Sequence, residues 1–152
     1  MKRMTAIIAA LALMLCALTG AAGWAEGKQT AANLFEFDGH GILVSVDLHD
    51  GWSIEFGLNA TYLYDGENDG NRDAVAFGVY VSPEEYESII DEYSDYDSFR
   101  EIEGGVAFTE EDGMGKYVFS VCDGVYYMIM ATPGIDAADI YGRFDVSEDP
   151  LY

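Results

Sequence analysis

Apolar positions recur along the chain with two different periods. Leu34–Phe37 reads as a short strand ended by the turn Asp38-Gly39-His40-Gly41, and a strand from Ile42 to Leu48 follows, closed by Asp50-Gly51. Trp52, Ile54, Phe56 and Leu58 alternate with Ser53, Glu55 and Gly57, which is the period of a half-buried strand. Ala60 to Tyr64 continues as strand. Beyond the acidic stretch 65–73, Val75, Phe77, Val79 and Val81 share one face of the next.

At Ser82-Pro83-Glu84-Glu85 the period changes. Ser82 is suited to cap a helix, Pro83 stands where a missing N–H costs nothing, and Glu85 completes a capping box. Tyr86, Ile89, Ile90 and Tyr93 then fall on one helical stripe. Glu87, Asp91, Glu92 and Asp95 occupy the other face with no basic neighbour. Glu87 and Asp91 repel one another, so the packed stripe has to hold this helix, which ends between Tyr93 and Phe99.

The second half reads as two hairpins and a helix. Val106–Thr109 and Lys116–Cys122 flank the turn 112–115, and Asp123-Gly124 is a two-residue hairpin turn. A tight turn sets Cys122 opposite Val125, Val121 opposite Tyr126 and Phe119 opposite Met128. One face then carries Tyr117, Phe119, Val121, Tyr126, Met128 and Met130, and the other Val118, Ser120, Cys122, Val125, Tyr127 and Ile129. Both faces are apolar, as in central strands covered on both sides. Pro133-Gly134 ends the strand. Asp136 caps a short helix that turns Ala137, Ile140 and Tyr141 inward and stops at Gly142. The expected class is α+β with a mainly antiparallel sheet flanked by helices.

The first residues belong to a different kind of segment. Lys2 and Arg3 precede an uncharged apolar run from Ala6 to Leu18, and small residues follow. This is the pattern of a secretory signal peptide, too short to span a bilayer. Gly23 and Ala25 favour cleavage after Ala25, with Ala22 as the alternative site. A lipoprotein reading through Cys16 fits less well, because Leu15 is bulky and the apolar run continues past the cysteine. The expected organisation is a signal peptide at 1–25, a linker at 26–33 and one domain at 34–152, secreted or held at the cell envelope.

Loss of 1–25 leaves five basic residues against 28 acidic ones, a net charge of −23. No basic stripe remains for a phosphate backbone, which excludes nucleic acid, and anionic membrane surfaces are excluded on the same ground. A protein partner, including a basic one, is compatible with that charge, and the domain is expected to be a monomer. The chain holds 11 Tyr, 8 Phe and 2 Trp, which argues against disorder. Roughly two-thirds of the unfolded surface of such a domain is buried on folding. Cys122 is the single cysteine after residue 25, so no internal disulfide supports the core.

The segments "VSVDLHDGW", "KYVFSVCDGVYYMIMAT" and "DAADIYGRF", set around a helix in mid-chain, resemble the PsbP-like family, the extrinsic proteins of the oxygen-evolving complex and their nuclear-import-factor-like relatives. His49 stands where that family often has Pro, and Phe144-Asp145-Val146-Ser147 resembles its usual ending. The resemblance spans residues 34–147 in outline. It implies an αβα sandwich and a non-enzymatic accessory, assembly or docking role. It supplies no catalytic residues.

The densest set of possible ligands is the loop 65–73. Asp65, Glu67, Asp69, Gly70, Asn71 and Asp73 match positions 1, 3, 5, 6, 7 and 9 of a calcium loop. Ala76 stands where the bidentate Glu belongs, Glu67 is bulkier than usual, and the flanks are strands. A solvated acidic turn is therefore the preferred reading, with calcium as the cofactor alternative. Asp47, His49 and Asp50 crowd one turn too tightly to converge on an ion. No Gly-x-Ser-x-Gly elbow is present, and Cys122 reads as a small packed thiol. A hydrolase would need Cys122 or Ser53 against His49. The stripe Tyr117, Phe119, Tyr126, Met128 and Met130 reads as core beneath the first helix. Tyr93, Tyr96 and Phe99, at the end of that helix, are the candidate partner contacts. The leading expectation is a non-enzymatic exported domain that binds or helps assemble a protein partner, ahead of a calcium-responsive module and, last, a small hydrolase.

Overall fold

The computed structural model describes residues 28–31, 33–39, 41–57, 60–67, 70, 73–122 and 124–150. The expected export signal, Cys16, His40, Asp69 and Asn71 lie outside the described residues.

The capping box forms as its sequence dictates. The Glu85 N–H donates to Ser82 Oγ at 3.2 Å, and the Ser82 N–H donates to the Glu85 carboxylate at 2.8 Å. This starts helix α1 (Pro83–Tyr93). The second helix, α2 (Ala137–Tyr141), begins at Asp136, whose carboxylate accepts from the Ala138 N–H at 3.0 Å. The rest is strand: β1 (Lys28–Gln29), β2 (Leu34–Gly39), β3 (Ile42–Asp47), β4 (Ser53–Phe56), β5 (Ala60–Tyr64), β6 (Ala76–Val81), β7 (Arg100–Ile102), β8 (Gly105–Thr109), β9 (Gly115–Cys122), β10 (Val125–Ala131) and β11 (Phe144–Glu148). β1 falls within the segment expected as a linker and pairs with β2.

These strands form two antiparallel sheets, ordered β1-β2-β3-β11 and β4-β5-β6-β10-β9-β8-β7. Among the described residues strand far outweighs helix, so the α+β class and the helix-flanked αβα sandwich are both overturned. The fold is β-rich. The expected helices are present, but α1 covers one face of the large sheet while the small sheet covers much of the other. The strands near the two ends of the chain leave the large sheet and pair with each other: Val46 faces Phe144 and Val44 faces Val146.

Two cores follow. Between the sheets, Ile42, Val44 and Val46 meet Leu63, Ala76, Tyr127, Ile129 and Ala131, with Ile140 of α2 closing one end. Beneath α1, Ala60, Val79, Val81, Val106, Phe108, Val118 and Met128 pack against Tyr86, Ile89, Ile90 and Tyr93.

The β9–β10 hairpin corrects a second expectation. Cys122 does face Val125, but Tyr126 faces Ser120, Tyr127 faces Phe119 and Met128 faces Val118. Val121 is the extra residue of a β-bulge, and one extra residue exchanges the faces beyond it. The aromatic–methionine stripe is therefore divided. Tyr117 and Phe119 lie on the small-sheet side, whereas Tyr126, Met128 and Met130 lie under α1, where Tyr126 stacks on Tyr86 with ring centroids 4.1 Å apart.

Two sites depend on close fit. A Cβ placed on Gly78 would stand 2.3 Å from the Tyr127 hydroxyl, which lies beside Thr61 without a well-formed hydrogen bond. On the other face, Lys116 is 6% exposed, is ion-paired to Glu110, and lies 5.5 Å from the Tyr93 ring and 5.9 Å from the Phe108 ring.

Gly78→Ala should cost about 1–3 kcal/mol by overpacking, while Tyr127→Phe alone should change stability little, since its hydroxyl is poorly satisfied. Urea unfolding of the two variants and the pair checks this, with the pair recovering part of the loss. Lys116→Met should cost about 3 kcal/mol by stranding the Glu110 carboxylate. Adding Glu110→Leu should restore much of that loss in the same assay.

Candidate functional site

A cleft of about 390 Å³ opens where β11 crosses over β9, at the side of α2. This volume is within the range of small ligand pockets. Tyr117, Phe119 and Ile129 form the floor, Phe144 and Val146 of β11 one wall, and Tyr141 of α2 the other. Aromatic contacts make the lining continuous. Tyr117 meets Tyr141 at 4.8 Å and Phe119 at 5.2 Å, and Tyr127 links Phe119 to Phe144 beneath the floor. Tyr117, Phe119, Tyr141, Phe144 and Val146 are each half-buried.

Each element is placed by local chemistry. Strand alternation sends Phe144 and Val146 toward the large sheet and leaves Asp145 exposed at the rim. α2 sits close on β9 because residue 115 is glycine: a Cβ there would stand 2.8 Å from Ala137 Cβ. Burial pushes the Tyr141 hydroxyl above its usual range, and the nearby Arg100 guanidinium partly opposes that. Arg100 faces Ala107, which faces Tyr117, so all three share the cleft side of the sheet. Arg100 is exposed.

A polar strap ties α2 to the turn after β3. His49 Nε2 lies 2.6 Å from Asp139 Oδ2, Arg143 Nε donates to the same oxygen at 3.2 Å, and Arg143 also donates to the Asp47 carbonyl at 3.1 Å. The His49 ring packs on Trp52 with centroids 4.8 Å apart. The Arg143 guanidinium, and then His49, hold the Asp139 carboxyl below its ordinary value.

The residues singled out from sequence fall elsewhere. Asp65, Glu67 and Asp73 are exposed, and the described residues contain no group of three His, Cys, Asp or Glu that could hold a metal ion. Tyr93 is 8% exposed and stacks on Phe108 at 4.5 Å, so it belongs to the core beneath α1 rather than to a contact surface. Burial, with Glu110 beside it, pushes its hydroxyl up. Tyr96 and Phe99 are half-buried around the same rings. Of the groups a hydrolase would need, His49 engages Asp139, Ser53 Oγ donates to the Gly66 carbonyl at 2.6 Å, and Cys122 packs against the core between the sheets. Sequence reasoning missed the cleft itself. The alternation of Phe144 and Val146 was its one legible sign.

Asp139→Asn should lower the melting midpoint at neutral pH. A depressed carboxyl contributes stability that is fully present above its unfolded value of 3.8 and is lost as pH falls through the lower folded value. Melts across an acidic series should therefore show the parent and variant converging below that range. A constant gap would mean that the strap acts by shape rather than by charge.

Comparison of the chain with protein-family models, curated proteins and solved structures finds no match, and the resemblance to the PsbP-like family rests on the sequence outline alone.

Proposed function

We propose that the protein is a non-enzymatic exported domain that binds a protein partner, and that the cleft between β11 and β9 receives an apolar side chain of that partner. The observation that carries this reading is the half-exposed aromatic lining: Tyr117, Phe119, Tyr141 and Phe144 meet at one opening. Aromatic side chains bury large areas at little conformational cost, and they are enriched at recognition surfaces. The acid excess of the chain suits a basic partner and an aqueous route of encounter. No observation favours the calcium-responsive alternative over a solvated turn.

The test is site-specific photocrosslinking in the producing cells, with benzoylphenylalanine at Phe119 and, as control, at Glu87 on the exposed face of α1. A discrete adduct from position 119 that is absent from position 87 is the expected result. Adducts of equal pattern from both positions, or none from 119, would remove the cleft from consideration.

A further inference from the structure

β11 ends the four-stranded sheet, and its outer edge faces the cleft. The direction of its backbone groups follows from two hydrogen bonds. The Asp47 N–H donates to the Arg143 carbonyl at 2.9 Å, and the Asp149 N–H donates to the Gly41 carbonyl at 3.0 Å. Odd-numbered residues of this segment therefore point their peptide groups at β3. Phe144, Val146 and Glu148 point theirs away from it, toward an edge that no described strand pairs. The other terminal strands are shorter: two residues in β1, three in β7 and four in β4, against five in β11.

The sheets also differ in width. Four strands face seven, and β11 lies over β9. On that face the small sheet leaves the outer strands β8 and β7 beyond its edge. A fifth strand beside β11 would lie over this remaining part, above Phe119 and the half-buried Ile102, which faces Gly105 and, through it, Phe119.

We infer that the cleft takes an extended segment of a partner protein, which adds to the β11 edge as a strand with apolar residues turned into the cleft and basic residues turned outward beside Asp145. This rests on the binding role proposed above and specifies its occupant. Backbone pairing supplies affinity, and alternate side chains supply selectivity. Charge decides between the possible strands. Asp145 and Glu148 are both exposed on β11. β11 itself carries no lysine or arginine, so a second copy of this chain pairing edge to edge offers Asp145 no opposite charge, whereas lysine or arginine opposite Asp145 makes a favourable cross-strand pair.

The probe is a short synthetic peptide alternating lysine with valine and phenylalanine, titrated into the protein and followed by amide NMR. Saturable binding should perturb the amides of Phe144, Val146 and Glu148. N-methylation of one alternate set of peptide nitrogens should weaken binding roughly tenfold or more, while methylation of the other set is tolerated. Sensitivity at the apolar residues marks antiparallel addition, and sensitivity at the lysines marks parallel addition. A glutamate-for-lysine peptide should bind at least roughly tenfold more weakly. Val146→Pro removes an outward N–H without touching the β3 ladder and should abolish the effect, whereas Ser147→Ala, exposed on the face of β11 away from the cleft, keeps the edge and should retain it.

Equal tolerance of both methylation patterns, or no binding by the alternating peptide, overturns the strand assignment. So does a concentration-dependent dimer that Val146→Pro dissolves. A position-119 adduct obtained alongside any of these would leave the cleft as a binding site with a different occupant. Loss of the adduct as well would remove both readings.

Discussion

The hairpin of β9 and β10 is apolar on both faces, and the rest of the structure answers that constraint. Tyr127, Ile129 and Ala131 face one way, while Val118 and Met128 face the other. Each face has to be kept from water, at roughly 25 cal/mol for every Å² of apolar surface removed. Among the described residues one helix is long enough to cover a face, and α1 takes the side bearing Val118 and Met128. The other side is closed by pairing the early strands β2 and β3 with the late strand β11. The apolar alternation of Ile42, Val44 and Val46 thus becomes the inner surface of a second sheet.

Unequal sheet widths create the cleft. A four-stranded layer does not span a seven-stranded one, and the boundary is set by β11 over β9. Aromatic residues at that boundary are half-buried because they pack on the sheets and line the opening. α2 is held beside the opening by Gly115, which permits its close approach, and by the strap from Asp139 to His49 and Arg143. The same small helix therefore closes the inter-sheet core through Ile140 and lines the cleft through Tyr141. The core and the cleft share one element here.

Most of the described acidic residues are exposed, and Glu110 is among the few that are partly buried. Glu84, Glu87, Asp91 and Glu92 are exposed on α1, whose packed stripe holds it despite their repulsion. Lys116 is drawn inward by Glu110 and by the faces of Tyr93 and Phe108. A cation packed against ring faces is favoured when water is excluded from it. This explains why Tyr93, exposed on a simple reading of a helix end, is committed to the core.

Local structure was determined by the sequence wherever adjacent residues suffice. The capping box at Ser82 and Glu85, the stripe from Tyr86 to Tyr93, the Asp136 cap and the strand from Ala60 to Tyr64 depend on neighbours within a few positions. Two things needed the folded molecule. Residue spacing shows neither that Val121 bulges nor, in consequence, which way Phe119 and Tyr127 turn, because the bulge answers to packing on both faces at once. Nor does it show that β11 returns to β3 across almost the whole chain, since such pairing depends on which apolar faces remain uncovered once the hairpin and α1 have packed. The cleft lies where those two tertiary decisions meet, between Phe119 on one strand and Phe144 on the other.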